Sequence, residues 1–362
     1  MVTDRPTMRR WTRDSYRGLD ALRAETVPVP EPGPGQALVR VVASSVNTAD
    51  LEHLEGRPWL SRIGTGLRTP RDRVPGFDVA GVVEAVGPGA GGTEPARPGA
   101  GGAVSRHVAG AGAGAGAPPL RPGDRVWADL FSRGAGAFAP FVCAPAAAFT
   151  PLPDGVPLEA AAGVPHSGVL ALQALTAGGG VKAGSHVLVN GGGGCVGPFA
   201  IQLAKHFGAE VTAVDDGVRA ELMRAAGADH VVDHTRSDVT RGTERYDVVV
   251  DIAANRGFLA FRRILAPRGR YTLVARDVRG FAAAALLGPV LGGRRRIGVF
   301  GWEPNRRRDL DTLGTLLANG ALRTITDRTF PLAEVRDALE HVRERRAVGG
   351  KVVLLGEGGG SW

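Results

Sequence analysis

Residues 186 to 216 read HVLVNGGGGCVGPFAIQLAKHFGAEVTAVDD: a short apolar strand, a glycine turn, an amphipathic helix and a second strand ending on two acids. Few folds accept that order. Gly192, Gly194 and Gly197 fit G-x-G-x-x-G, in which the first glycine permits a tight turn, the second lets a ligand approach the backbone and the third lets the helix pack on the strand. With 54 glycines in 362 residues, such a spacing is easily met by chance. What makes it specific is the strand before it, the helix after it and the acid at the end of the next strand. The helix expected from Val196 to Phe207, entered through Cys195, points free N–H groups and a positive dipole end at a diphosphate. Asp215 lies where a carboxylate accepts hydrogen bonds from a ribose 2′-hydroxyl. The segment therefore predicts half of a nicotinamide dinucleotide site. Asp215 and Asp216 favour NADH over NADPH by repelling a 2′-phosphate, although Arg219 is near enough in sequence to swing in and accept one.

The rest of the chain divides around that segment. From Ala37 to Thr150, short β-like runs (ALVRVVASSVN, DVAGVVEAVG, DRVWADL, AFAPFVCAP) are broken by Gly and Pro and predict a small β-rich barrel. Residues 88–120 interrupt it with a Gly, Ala and Pro stretch too poor in large apolar residues to build a core, which is read as a flexible surface insertion. From Leu158 the period changes. A helical stretch, LEAAAGVPHSGVLALQAL, leads into strands expected at 186–190, 210–215, 230–233, 246–252, 270–275 and 296–301, with helices between them. Six strands with helical crossovers give a doubly wound, six-stranded parallel sheet, an α/β fold of the Rossmann type. The tail adds a helix (DLDTLGTLLANG), a strand (TDRTF), a second helix (PLAEVRDALEHVRER) and a last strand (GKVVLLG).

Composition removes several classes of function. Only Cys143 and Cys195 are present, which excludes a four-thiolate zinc site and makes a disulfide framework implausible. The longest apolar run, Phe281 to Gly293, is too short to span a bilayer, and the N-terminus lacks the apolar core of a signal peptide, so no membrane association and a cytoplasmic location are expected. The formal charge of +8 and the two RRR runs at 294–296 and 306–308 raise the possibility of nucleic-acid binding. No aromatic platforms interleave them, and solvated surface is the preferred reading.

ASSVNTAD at 43–50, PGFDVAGVVEAVG at 75–87, PGDRVW at 122–127, GAFAPFV at 136–142, the glycine turn, LMRAAGADHVVDH at 222–234, DRTFPLAEV at 327–335 and GKVVLL at 350–355 together resemble the medium-chain dehydrogenases/reductases, in the zinc-independent, quinone-oxidoreductase-like branch. The resemblance implies a GroES-like catalytic domain at 1–155, completed by a return of 303–362, around a Rossmann domain at 156–302. It also implies a homodimer joined through the last Rossmann strand. Zinc-dependent relatives place ligands where Asn47, Phe77 and His166 stand here; neither an amide nor a phenyl ring replaces one, so no metal is expected. Ala49 stands where alcohol dehydrogenases often carry a relay hydroxyl.

By the same resemblance, Asn47 and His166 lie beside the nicotinamide. The Asn47 amide is expected to donate to a substrate oxygen as enolate charge develops, or else to cap a turn. His166 is a donor or proton source near neutral pH, with Ser167 a weaker candidate beside it, or else a structural histidine. Asp50 is expected to position its neighbours. Leu170 replaces a threonine common next to the ring. Asp251, Ile252, Val274 and Ala275 fall at strand ends that the family sets along the ribose and nicotinamide. The expected activity is hydride transfer from NAD(P)H to a quinone, enone or other activated C=C of a small-molecule substrate. The alternatives are a catalytically weak nucleotide-binding scaffold and an alcohol or carbonyl oxidoreductase.

Overall fold

Strands buried on both faces read as continuous apolar runs, and those of residues 186–251 sit in such a sheet. The computed structural model describes residues 5–90, 119–274, 278–299, 301–344 and 348–356. Its all-parallel sheet has the order His230–Asp233, Glu210–Asp215, His186–Asn190, Tyr246–Asp251, Leu265–Leu273, Arg296–Val299. Numbered along the chain, that is 3-2-1-4-5-6, the doubly wound arrangement with its topological switch between the first and fourth strands. Val187, Leu188 and Val189 on the first strand are completely buried, and burial of side chains of this size is worth roughly 1.5–3 kcal/mol each.

All six expected strands are present, three of them with changed bounds, the fifth ending at Leu273. The fourth ends at Asp251 and the sixth at Val299, and the fifth begins at Leu265 because a four-residue excursion separates Leu265, paired to Tyr246, from Arg270, paired to Val248. Ala275 and most of the expected insertion, residues 91–118, lie outside the described residues. The expected single helix before the sheet is two, Leu158–Ala161 and Pro165–Thr176. Pro165 has no N–H to continue the first helix and is pre-shaped to begin the second.

A seven-stranded sheet forms the other half. Thr326–Pro331, Lys351–Leu355, Gln36–Val46, Asp78–Val86, Arg125–Asp129 and Thr150–Pro151 follow one another, with Phe141–Pro145 pairing to Gln36–Val46. The final strand thus returns antiparallel onto the first long one, Val352 opposite Val46. The first 36 residues, which had suggested no elements, carry an antiparallel ribbon, Thr7–Thr12 with Arg23–Pro28; its alternation is masked by charged residues on a half-buried strand. The Pro165–Thr176 helix packs on both Gly197–His206 and Arg307–Ala318, so its first turn sits where the two halves meet. Among the described residues, no helix is long and apolar enough to cross a membrane.

Candidate functional site

The turn conformation falls on Gly191, one residue before the first glycine of the expected spacing, while Gly192 is packed against Met223 and Ala213. Gly191 has φ +92° and, with Gly192, donates its N–H to the Val214 carbonyl, tying the turn to the second strand. A Cβ on Gly197 would fall 2.4 Å from the Gly191 oxygen and the Gly192 carbonyl, so only glycine lets the Gly197–His206 helix start against this backbone. At Gly194 a Cβ would meet only the Gly191 oxygen, at an ordinary 3.5 Å. That open side faces away from the fold's own atoms and is free for a ligand. Cys195 is half-buried, with Sγ 3.9 Å from Thr48 Oγ1, which brings the turn against the start of the catalytic-half helix Thr48–Glu55. Val196 is buried at the cap of the turn's helix.

The acidic strand end is already occupied. Asp215 Oδ2 accepts the Gly193 N–H at 2.9 Å, and Oδ1 accepts the Asp216 N–H at 2.8 Å and Arg219 Nη1 at 2.9 Å. Arg219 lies over Gly193 rather than out in solvent, so its charge offsets the carboxylate that the sequence presented as a repeller of phosphate. Asp216 caps the turn of Gly217–Arg219 through Val218 N–H. Asp251 is fully buried, accepting from Asn190 Nδ2 at 2.7 Å, Tyr271 Oη at 2.7 Å and Ala254 N–H at 3.0 Å; its side chain builds the fold rather than facing a ligand. Ile252 N–H donates to the Asn190 carbonyl and Val274 N–H to that of Asp251, fixing both strand ends.

Sheet register assembles a second cluster from distant segments. Asp78 pairs with both Ser45 and Asp129 across adjacent strands, and the Val352–Val46 pairing sets Lys351 beside Asn47. The side chains close a buried network. Asp78 Oδ2 accepts from Ser45 Oγ at 2.6 Å, Asn47 Nδ2 at 2.9 Å and Lys351 Nζ at 3.3 Å, while Asp78 Oδ1 accepts the His166 backbone N–H at 2.7 Å. Lys351 Nζ also donates to Asn47 Oδ1 at 2.6 Å and lies 3.3 Å from Ser167 Oγ, which itself donates to Asn47 Oδ1 at 3.0 Å.

Asn47 takes the capping role, one of the two expected of it, at the start of Thr48–Glu55. At 1% exposure, with its amide oxygen bonded to Lys351 and Ser167 and its nitrogen to Asp78, it is a positioning residue rather than a free donor to substrate. Asp50 positions it, accepting the Asn47 N–H on Oδ2 at 2.7 Å. Asp50 Oδ1 is buried with no hydrogen-bond partner among the described residues. Burial pushes the Asp50 carboxyl up to about 7, the Asn47 hydrogen bond opposing and Asp78 adding to the rise. Asp50 thus takes up its proton around neutral pH and holds it below. Lys351 and a protonated His166 then balance Asp78 and Asp129, as buried charges require.

His166 lies at the open end of this cluster. Nδ1 is 3.0 Å from Asp129 Oδ2, and Nε2 has no partner among the described residues yet is not sealed from solvent. The ring stacks on Phe77 (centroids 5.8 Å apart, planes at 24°) and is flanked by Phe131 at 5.7 Å and Trp302 at 5.1 Å. Burial alone would lower its pKa, but Asp129, through charge and hydrogen bond, with Asp78 and Asp50 behind it, holds the imidazolium above its usual value. Leu170 is half-buried, one turn along the same helix.

Sequence reasoning missed Asp78, Asp129, Lys351 and Trp302. Asp78, Asp129 and Lys351 were within the quoted motifs PGFDVAG, DRVWADL and GKVVLL, and the available signal was a charged residue within an otherwise apolar strand. Among the described residues, no group of three or more His, Cys, Asp or Glu is placed to hold a metal ion. Of the three positions where zinc-dependent relatives put ligands, one holds a bonded amide, one a phenyl ring and the third an imidazole whose Nδ1 is taken by Asp129.

Comparison with known proteins agrees with the fold. The alcohol dehydrogenase GroES-like domain matches residues 33–154, and a zinc-binding dehydrogenase domain matches 226–354. A trans-enoyl reductase of Aspergillus terreus is 29% identical over 339 residues, 90% of this chain and 88% of that protein. The NADPH-dependent alkenal/one oxidoreductase of Arabidopsis thaliana chloroplasts is 28% identical over 364 residues, 96% of this chain and 79% of that protein. A pikromycin polyketide synthase component of Streptomyces venezuelae is 32% identical over 343 residues, 91% of this chain but 8% of that protein. Among solved structures, the quinone oxidoreductase from Coxiella burnetii superposes with a TM-score of 0.77 at 22% identity, covering 96% of this chain and 99% of that one.

Proposed function

The chain belongs to the medium-chain dehydrogenase/reductase superfamily, in its quinone-oxidoreductase-like branch, and on that premise we propose that it reduces quinones, enones or related activated alkenes with NAD(P)H. The observation that carries the reading is His166, a protonatable ring with an unbonded nitrogen, at the junction of a nucleotide half and a catalytic half. The open face of Gly194 and the N–H groups at the start of Gly197–His206 fit a diphosphate. Bound there, the reduced nicotinamide supplies a hydride to a carbon polarised by a conjugated carbonyl. His166 gives a proton to the oxygen that gains charge, Asn47 and Asp50 hold the surrounding backbone in place, and Phe77, Phe131 and Trp302 limit water around the ring.

No zinc is needed in this chemistry, and the amide and phenyl at 47 and 77 do not fit one. Asp215 and Asp216 support NADH as the cofactor. The second reading, NADPH, is favoured by the Arg219–Asp215 pair, because the guanidinium is already at the strand end where a 2′-phosphate would replace a carboxylate. Affinities for the two nucleotides, followed by turnover with a panel of quinones and enones, test the proposal. Oxidation of the reduced nucleotide is expected with at least one acceptor class; tight nucleotide binding without turnover on any of them would favour a scaffold instead. The outer edge of Arg296–Val299 pairs with no strand among the described residues, which supports a homodimer joined there. Sedimentation at micromolar concentration is expected to give twice the chain mass, and a monomer mass would remove that feature.

A further inference from the structure

The carboxylate behind His166 has no part in the proposal as stated. Asp129 ends the strand Arg125–Asp129 and is completely buried, with each oxygen committed: Oδ1 to the Phe131 N–H at 2.8 Å and Oδ2 to His166 Nδ1 at 3.0 Å. Its own N–H donates to Asn305 Oδ1 at 2.8 Å, and Asn305 Nδ2 donates to the Ala148 carbonyl at 2.7 Å, so the loop carrying Trp302 is pinned to the same strand end.

The bond to Nδ1 fixes more than ring orientation. A neutral imidazole donating from Nδ1 to a carboxylate has a bare Nε2, which accepts hydrogen bonds and gives none. Only the imidazolium carries a proton on Nε2, the atom left free toward the cleft. We propose that Asp129 is the positioning residue that keeps His166 doubly protonated, making it a loaded acid for substrates whose reduction places negative charge on oxygen, the quinones and conjugated carbonyl compounds. The inference rests on the reading of the site given under Proposed function.

In that step the two electrons arrive as hydride from the nicotinamide. The Nε2–H bond breaks, an O–H bond forms on the substrate oxygen, and the neutral imidazole keeps its Nδ1–H on Asp129 until solvent restores the Nε2 proton. The charged and titratable groups facing the ring are Asp129, Asp78 and Asp50, with Lys351 beyond Asp78; Phe77, Phe131 and Trp302 contribute only uncharged rings. With Asp50 carrying its proton, the Asp78 and Asp129 carboxylates against the single Lys351 ammonium still favour the imidazolium.

Asp129→Asn separates this role from a structural one. The Phe131 N–H retains the amide oxygen, so the amide NH2 faces Nδ1, and an imidazolium would set two donors against each other. The test pairs an NMR titration of the His166 ring, assigned by difference from His166→Gln, with the pH profile of kcat/KM. Protonated His166 is the active form, so activity falls as pH rises through its pKa. In the wild type the fall is expected above the ordinary histidine value of about 6.5; in Asp129→Asn both the ring midpoint and the fall are expected about one pH unit or more lower. Asp129→Glu, which keeps the charge, is expected to return the profile toward wild type and serves as the second variant if Asp129→Asn does not fold. An unshifted ring midpoint, or a kcat loss uniform across pH, would overturn the proposal. The ring titration needs no turnover, so absence of activity in the wild type would count against the proposed reaction while leaving the Asp129–His166 pair tested.

Discussion

Gly194→Ala is expected to fold and melt like the wild type while losing about a hundredfold in NAD(P)H affinity, roughly 2.7 kcal/mol; Gly197→Ala is expected to lose the fold's stability first. Two glycines three residues apart thus fail for different reasons. At Gly194 the added methyl meets no protein atom closer than 3.5 Å, so its cost falls on whatever approaches from outside. At Gly197 the methyl lands 2.4 Å from backbone atoms of Gly191 and Gly192, which cannot rotate away. The helix must then shift off its strand, an overpacking that costs about 1–3 kcal/mol or more. Urea unfolding with a fluorescence titration of each nucleotide measures both effects. Wild-type affinity in a well-folded Gly194→Ala would mean that the open face of the turn does not hold the diphosphate.

Lys351→Met is expected to destabilise the protein by roughly 3–5 kcal/mol near neutral pH, because it leaves Asp78 buried without its ammonium. Lys351 is 1% exposed and Asp78 fully buried, so solvent replaces little of what is lost. Lys351→Met combined with Asp78→Asn should recover more than half of the loss, since the pair is removed together and the Ser45, Asn47 and His166 hydrogen bonds can be partly kept. A Lys351→Met variant as stable as the wild type at pH 8 would mean that Asp78 is satisfied by those hydrogen bonds alone.

The nucleotide half was legible because its information is local. A strand, a turn and a helix within 31 residues carry their own spacing; Gly194 and Gly197 have the surroundings that spacing demands, while the turn conformation itself falls on Gly191. Six parallel strands followed from apolar runs that had to be buried on both faces. His166 was also legible, as an imidazole in GVPHSG beside a helix-starting proline. Its partner was not, since Asp129 is 37 residues away and only strand register brings it near. Asn47 was read either as a donor to substrate or as a cap, and the structure makes it the cap of Thr48–Glu55; its amide partners Asp78 and Lys351 were not legible because they lie 31 and 304 residues away. Arg219 was seen as a movable cation near two acids. The structure spends it on Asp215.

Taken alone, the order of residues settled the two-part α/β architecture, the place of the glycine turn, and the amide and phenyl at positions 47 and 77. Those are properties of neighbours in the chain, governed by periodicity, glycine sterics and donor chemistry. Tertiary structure alone decided the electrostatics around His166. Three carboxylates, a lysine and a histidine from five separate segments meet there out of water, and in that setting the proton count of each depends on all the others.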